Sequence, residues 1–381
     1  MHAQSLDIKK HFRGLKDPRR RHRRRHLLLD VVVIAICAVT GGADNWEEIA
    51  AFGRRHESWF RRYLSLPNGI PSHDTFLRIF SRLDPQVFQR CLRDWLLGFG
   101  NVLRCEHIAI DGKTLCGSAR KTSGLGPLHL VSAWASANHL LLGQVAVNDK
   151  SNEITAIPQL LALLETKGAV ITIDAMGCQK EIAAKIRERH CHYVLAVKDN
   201  QPNLLQDIQG SFARAFESDV AGRVHDRYET KTVNGHGRQE RRYCEVLTDL
   251  SGIRNKEAWK DLKAIGMCIT ERTVNGETKG EVRYFIGSQK KGARYYGHAC
   301  RKHWSIENNL HWQMDVSFGE DANRTAERTA AANLALVCRA AQTLIKRDPQ
   351  KGGIRCKRRQ AGWDLKFLEE LLIRRADSAK A

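Results

Sequence analysis

The 381-residue chain lacks any apolar run long enough to cross a bilayer, which takes about 20 residues. The best candidate, Leu27 to Val39, is shorter and carries Asp30. It follows the basic run Arg19 to His26 and so imitates a targeting signal. No small-residue cleavage motif follows it, and a buried helix is the expected reading. No membrane partner is expected. The chain also lacks Cys-x-x-Cys pairs: its 11 cysteines are scattered, and Cys191-His192 is too short to be a zinc site. That pattern excludes a disulfide framework and a structural zinc cluster. It predicts reduced thiols and a cytoplasmic protein. Acidic residues are short as well, 42 against 62 Lys plus Arg, which leaves a formal charge of +20. Such an excess points to a polyanionic partner and salt-sensitive binding.

What is present suggests several segments, and the length suffices for two or three domains with a sizeable core. Residues 1–26 form a basic arm, with Arg19, Arg20, Arg21, Arg23, Arg24 and Arg25, expected to be free until it meets a partner. Residues 27–104 read as a helical N-terminal domain. Ser72 or Asp74 can cap one of its helices, and Asp84-Pro85 opens another. Arg54, Arg55, Arg61, Arg62 and Arg78 suit a DNA-docking module; an ordinary bundle with solvated arginines fits equally well.

Residues 105–215 change character. Strands are expected at 106–111, 128–135, 140–147, 169–174 and 192–198. Helices are expected at 157–164, with Pro158 in the first turn, at 178–189, and from about Asn203. This order is that of an RNase H-like fold, in which carboxylates on the first and fourth strands lie side by side. Here they are Asp111 and Asp174. Residues 216–289 interrupt the pattern as a β-rich insertion, with hairpin signals at Asn234-Gly235 and Asn275-Gly276. Residues 290–348 return to helix and carry Glu307. Residues 349–381 are a basic C-terminal tail with an amphipathic helix at 367–373. The expected fold is α/β: an RNase H-like catalytic core, a β-rich insertion and a helical N-terminal domain.

Three acids stand out. Asp111 and Asp174 each end an apolar strand, and Glu307 lies in the helical run His303-Trp304-Ser305-Ile306-Glu307-Asn308-Asn309-Leu310-His311-Trp312. Carboxylates that converge cannot all stay ionised without a cation. Hard divalent ions take such oxygen ligands, and two ions side by side drive in-line displacement at phosphorus. Each acid alone is weak evidence: Asp111-Gly112 could be a turn, and Glu307 a solvated helix residue. Asp315, two helical turns or roughly 12 Å on, is too far to share an ion with Glu307. Glu320 and Asp321 follow Phe318-Gly319, where a helix end is expected, and read as solvated loop acids.

The joint pattern resembles the DDE transposases of bacterial insertion sequences, in particular the H-repeat-associated, ISAs-type group. The resemblance runs from about Leu27 to Val337. It rests on Gly42-Ala43-Asp44-Asn45-Trp46-Glu47, Gly69-Ile70-Pro71-Ser72-His73-Asp74-Thr75 and Ala109-Ile110-Asp111-Gly112-Lys113-Thr114. It also rests on Lys150-Ser151-Asn152-Glu153-Ile154-Thr155, Asp174-Ala175-Met176-Gly177-Cys178-Gln179, His236-Gly237-Arg238 and His303-Trp304-Ser305-Ile306-Glu307-Asn308. It implies transposition, with Asp111, Asp174 and Glu307 as catalytic metal ligands for Mg²⁺ or Mn²⁺, two ions in all. It implies double-stranded DNA as partner, both the element's terminal inverted repeats and the target, nucleoid association when bound, and a homo-oligomer that synapses two ends. Many related transposases flank the glutamate with Tyr, Arg and Lys. Cys300, His303 and Met314 stand there instead, and Arg301, Lys302 or Tyr296 are candidates to substitute in space. His303 could contact a phosphate or water, and Arg238 could contact DNA. A structure-specific nuclease on the same fold, or a catalytically idle DNA-binding remnant, are the alternative readings.

Overall fold

The apolar segment Ile108-Ala109-Ile110 lies inside one large mixed sheet, buried on both faces. The computed structural model describes residues 8–99, 107–120, 124, 126–147, 153–164, 166–218, 226–230, 232–235 and 238–373. Expectations on residues 1–7, on the junction at 104–105, on Lys150-Ser151-Asn152, on His236-Gly237 and on the tail beyond 373 lie outside the described residues.

Strands β1 (His107–Leu115), β2 (Leu128–Ala135), β3 (Leu140–Val147), β4 (Val170–Ile173) and β5 (His192–Val197) stand in the order β3-β2-β1-β4-β5. β1 pairs antiparallel with β2 and parallel with β4, and β4 pairs parallel with β5. Every residue of β2 and β4 is buried, which for the parallel strand β4 explains a near-continuous apolar run rather than an alternation.

The N-terminal part holds α1 (Ile8–His11), α2 (Leu28–Thr40), α3 (Trp46–Arg55), α4 (Glu57–Phe60), α5 (His73–Phe80) and α6 (Pro85–Leu97). Ser72 caps α5 by accepting from Thr75 N, and Asp84 caps α6 by accepting from Gln86 N and Val87 N. The basic arm is not free along its described length. Ile8, Phe12 and Leu15 are buried, and Phe12 meets Phe88 edge-on. Those apolar residues gain from leaving water, and this outweighs the local charge. α2 is buried from Asp30 to Thr40, as its composition predicts. No helix among the described residues is long and apolar enough to cross a membrane.

Further helices are α7 (Glu153–Ala162), α8 (Lys180–Glu188), α9 (Pro202–Ser218), α10 (Ala293–Ile306), α11 (Trp312–Phe318), α12 (Arg328–Arg347), α13 (Ile354–Trp363) and α14 (Leu365–Ile373). α7 begins earlier than its sequence suggests, so Pro158 falls inside it rather than in its first turn. α12 is buried from Ala330 to Ile345 and packs against α2, α5, α6, β2 and β3. Asn333 on α12 donates to the carbonyls of Phe80 and Leu83 at 2.8 and 3.0 Å. Arg358 on α13 donates to the carbonyls of Val39, Ser317 and Ala43. The N-terminal helices therefore share one apolar core with the sheet.

The expected insertion is β-rich, with β6 (Asp226–Glu229), β7 (Val233–Gly235), β8 (Arg238–Leu247), β9 (Ala264–Val274) and β10 (Glu277–Gly287). It prolongs the main sheet, because β10 pairs antiparallel with β5. Asn275 and Gly276 both have positive φ, 51° and 84°, the backbone of a type I′ turn between β9 and β10. Asn234-Gly235 behaves differently: it lies within β7, paired with β8.

Candidate active site

Asp111 does not end its strand. β1 continues to Leu115 against β2, while its parallel register with β4 stops at Ile110↔Ile173. Asp111 thus sits where β4 has left the sheet, and Asp174 is the first residue beyond β4. The parallel register brings the two carboxylates out at the same edge. Asp174 also caps the short turn Ala175–Gly177, accepting from Met176 N at 3.2 Å and Gly177 N at 3.5 Å.

Asp111-Gly112 is no turn. Gly112 is required because a Cβ there would stand 2.4 Å from both Glu153 Oε1 and His129 Nε2. Those two buried side chains lie 2.6 Å apart, and Thr114 Oγ1 lies 2.9 Å from His129 Nδ1.

Glu307 directly follows α10, which packs against β1, β4 and the insertion strands β6, β8 and β9. Thr172 Oγ1 on β4 lies 3.0 Å from His303 Nδ1, and Ser136 Oγ lies 2.6 Å from Ser305 Oγ. These contacts fix the helix over the sheet edge. The helix then widens into a π turn, Glu307–His311, before α11. Such turns are rare and recur at functional sites. His311, 4% exposed, points inward here. Its Nδ1 lies 3.2 Å from Glu307 Oε2 and 3.5 Å from Asp111 Oδ2.

Asp111, Asp174 and Glu307 line one cleft of about 600 Å³. Burial pushes the Asp111 carboxyl up to about 6; the Asp174 and Glu307 charges add to this, while His311 opposes it. Burial also raises Asp174, helped by the charge of Glu153. Glu307 is lowered, first by its hydrogen bond to His311. Buried carboxylates that resist ionisation are a site short of positive charge. One ligand atom each from Asp111, Glu307 and His311 lies within 4.8 Å of the others, so the donor set fits a divalent cation.

Asp315 is not a rival ligand. It holds Lys113 Nζ at 2.6 Å, with Asp321 at 3.6 Å from the same nitrogen. Glu320 corrects the expectation of a solvated loop acid. It is buried and paired with Arg339 Nη1 at 2.5 Å.

Arg301 and His303 line the cleft; burial lowers His303 to about 4. Lys302 is exposed and does not line it. Arg238 opens β8 opposite Gly235 and Val274. Arg19, Arg20, Arg21, Arg24 and Arg25 lie before α2, away from the cleft lining. Arg19 is bound to Asp17 and to the carbonyl of His26, and Arg24 to the carbonyls of Arg19 and Asp17. Arg20, Arg21 and Arg25 are exposed. Arg23 closes the single 3-10 turn Arg21–Arg23.

Sequence reasoning missed several residues of this cleft. Lys198, Arg242, Arg272 and Arg283 line it, and the Arg283 guanidinium stacks 3.9 Å over Trp304. The only available signal was arginine recurring within the insertion strands. It also missed a thiol cluster: Cys244 faces Cys268 across β8 and β9, and Cys268 hydrogen-bonds with Cys244 and Cys300 in the cleft wall. These thiols do not close into a metal cage; among the described residues only Asp111, Glu307 and His311 meet closely enough.

Known proteins resemble this chain along most of its length. The family described as "Transposase DDE domain" matches residues 105–344, and "DDE_Tnp_1-associated" matches residues 9–96. "Putative transposase YncI" of Escherichia coli O157:H7 is 38% identical, covering 94% of this chain and 92% of its own. "H repeat-associated putative transposase YhhI" of Escherichia coli K12 is 36% identical, covering 96% and 98%. A piggyBac transposase, solved by cryo-EM as a synaptic complex with hairpin DNA, aligns with a TM-score of 0.46 at 10% identity, over 95% of this chain and 77% of its own.

Proposed function

The chain belongs to the transposase DDE domain family, and from that premise we propose that it is the DNA transposase of a bacterial insertion sequence. It cleaves phosphodiester bonds at the element's ends and joins the freed 3′-hydroxyl to target DNA. The observation that carries this reading is the meeting of Asp111, Asp174 and Glu307 on one cleft, with Asp111 and Glu307 ligand atoms within 4.8 Å. The strand order β3-β2-β1-β4-β5 supports an RNase H-like core beneath it.

Asp111 stands between two half-sites, sharing one with Asp174 and the other with Glu307. Two divalent cations, Mg²⁺ or Mn²⁺, would supply activation of the attacking oxygen and neutralisation of charge on the leaving oxygen. The chain's own part is to hold three carboxylates at a sheet edge and a helix, rigid elements that fix a site better than loops. Lys198, Arg242, Arg272, Arg283 and Arg301 place positive charge along the cleft, where a DNA backbone is drawn in. Two copies of the chain are needed to hold two DNA ends, so a homo-oligomer forms at synapsis. The protein works in the cytoplasm, on the nucleoid.

The deciding experiment is cleavage and joining on a DNA fragment bearing the cognate inverted repeats. Cleavage without joining favours a nuclease; binding without cleavage marks an idle remnant. Chelation of divalent ions is expected to abolish cleavage. Mn²⁺ should restore it under more conditions than Mg²⁺, which demands near-ideal octahedral geometry. Cleavage undiminished in excess chelator sinks the metal reading.

The exposed arginines near the N-terminus give a separate prediction. Replacing Arg20, Arg21 and Arg25 with Ala should flatten the log–log salt slope of end binding by up to about 2.7, roughly 0.9 for each phosphate no longer neutralised. The preferred sequence should not change, because phosphate contacts position rather than specify. Arg19 and Arg24 are poor choices, since they hold the local backbone. An unchanged slope in a filter-binding series removes this segment from the DNA interface.

A further inference from the structure

We propose that His311 is a direct ligand of the ion held between Asp111 and Glu307, which makes that half-site a mixed nitrogen–oxygen centre. This rests on the reading of Asp111 and Glu307 as metal ligands and adds to it a residue that the three-acid pattern does not contain.

The spacing is the first argument. Nδ1 of His311 lies 3.2 Å from Glu307 Oε2 and 3.5 Å from Asp111 Oδ2. An ion with octahedral ligands at roughly 2.1 Å sets neighbouring ligand atoms about 3 Å apart. The ring nitrogen and its two carboxylate neighbours therefore stand close to adjacent corners of one coordination shell.

Burial is the second. His311 is 4% exposed, and its Nε2 is enclosed with no hydrogen-bond partner among the described residues. A ring enclosed in this way is held in one orientation by its surroundings, which fixes the position of Nδ1. Here the one nitrogen that has partners faces the two carboxylates. The π turn is the third. It begins at Glu307 and ends at His311, so the widened segment spans the two residues that would share the ion.

Two histidines line the cleft itself, His298 and His303, and both ring systems are engaged elsewhere: Nε2 of His298 lies 3.5 Å from the Tyr228 hydroxyl. Nδ1 of His303 is engaged with Thr172 on β4. On the Asp174 side, the side chain is held by backbone N–H groups. The two half-sites thus differ in chemistry. A neutral imidazole favours later transition ions over Mg²⁺, so the Glu307 side should accept Co²⁺ and Ni²⁺ more readily than an all-oxygen site does.

The test is pulsed electron paramagnetic resonance of the full-length protein titrated with Mn²⁺. The wild type should show a ¹⁴N coupling of the size given by a directly bound imidazole. His311→Gln should lose that coupling and bind Mn²⁺ at least about tenfold more weakly, while its circular dichroism in the absence of metal stays that of the wild type. Bound Mn²⁺ with no ¹⁴N coupling in the wild type overturns the proposal, and that spectrum decides the matter even if the variant fails to fold. So does unchanged affinity in a folded His311→Gln. If Mn²⁺ binding is lost in Glu307→Gln yet shows no nitrogen coupling in the wild type, only the role of His311 falls. If the wild type binds no Mn²⁺ at all, the metal-dependent reading of the whole site falls with it.

Discussion

Asp111→Asn is expected to cut cleavage of element ends by at least about a hundredfold and, at the same time, to stabilise the metal-free fold. A hundredfold corresponds to about 2.7 kcal/mol of transition-state stabilisation. The loss is expected because, in the proposed two-ion reading, Asp111 serves both half-sites: its carboxyl feels the charges of Asp174 and Glu307 and lies 3.5 Å from His311 Nδ1. The gain follows from its raised pKa, up to about 6 from an ordinary 3.8. A carboxyl with a folded pKa above its unfolded one binds its proton more tightly in the native state. The fold therefore loses stability as pH rises from about 4 through 6, and the full cost is present at neutral pH. Two pH units are worth at most about 3 kcal/mol, and asparagine does not ionise. Melting the two proteins without metal at pH 5 and pH 7.5 should show the variant ahead chiefly at the higher pH. Asp174→Asn and Glu307→Gln should match it in lost cleavage while end binding persists, because binding draws on the basic surface. Near-normal cleavage by either aspartate variant sinks the assignment of these residues.

Glu320→Gln should also lose activity, but by unfolding rather than by loss of a ligand. Glu320 and Arg339 are both buried, with the guanidinium also donating to the Ala335 carbonyl at 3.0 Å. Removing the carboxylate leaves a buried charge without its counter-ion, which costs about 3–5 kcal/mol. Read by activity alone, this variant would mimic the loss of a third metal ligand. Thermal melting separates the cases: Glu320→Gln should melt far below Glu307→Gln. Pairing it with Arg339→Met should recover most of the stability, since the stranded charge is then gone. Asp321→Asn, at a side chain 43% exposed, should change neither stability nor cleavage by much. A Glu320→Gln protein that melts normally yet cannot cleave would move the third ligand to Glu320.

The sequence by itself determined the features whose causes lie within a few residues. Ile108-Ala109-Ile110 and Val170-Ile171-Thr172-Ile173 read as buried strands, and each is followed directly by an aspartate. Ser72 and Asp84 announced helix starts that the fold keeps, and Asn275-Gly276 supplied the two positive φ angles that its turn needs. Tertiary structure decided whatever depends on a partner far along the chain. Glu320 reads as a loop acid until Arg339 of α12 is folded against it. Lys113 meets Asp315 from the far side of the insertion, and the three thiols meet only once β8, β9 and α10 are packed. The π turn that sets His311 beside Glu307 and Asp111 has no local signature, because its residues suit an ordinary helix. Periodicity and capping act through neighbours on one element and so are written into a short window of sequence. Burial and ion pairing depend on which distant surfaces meet, and no window along this chain contains both halves of those contacts.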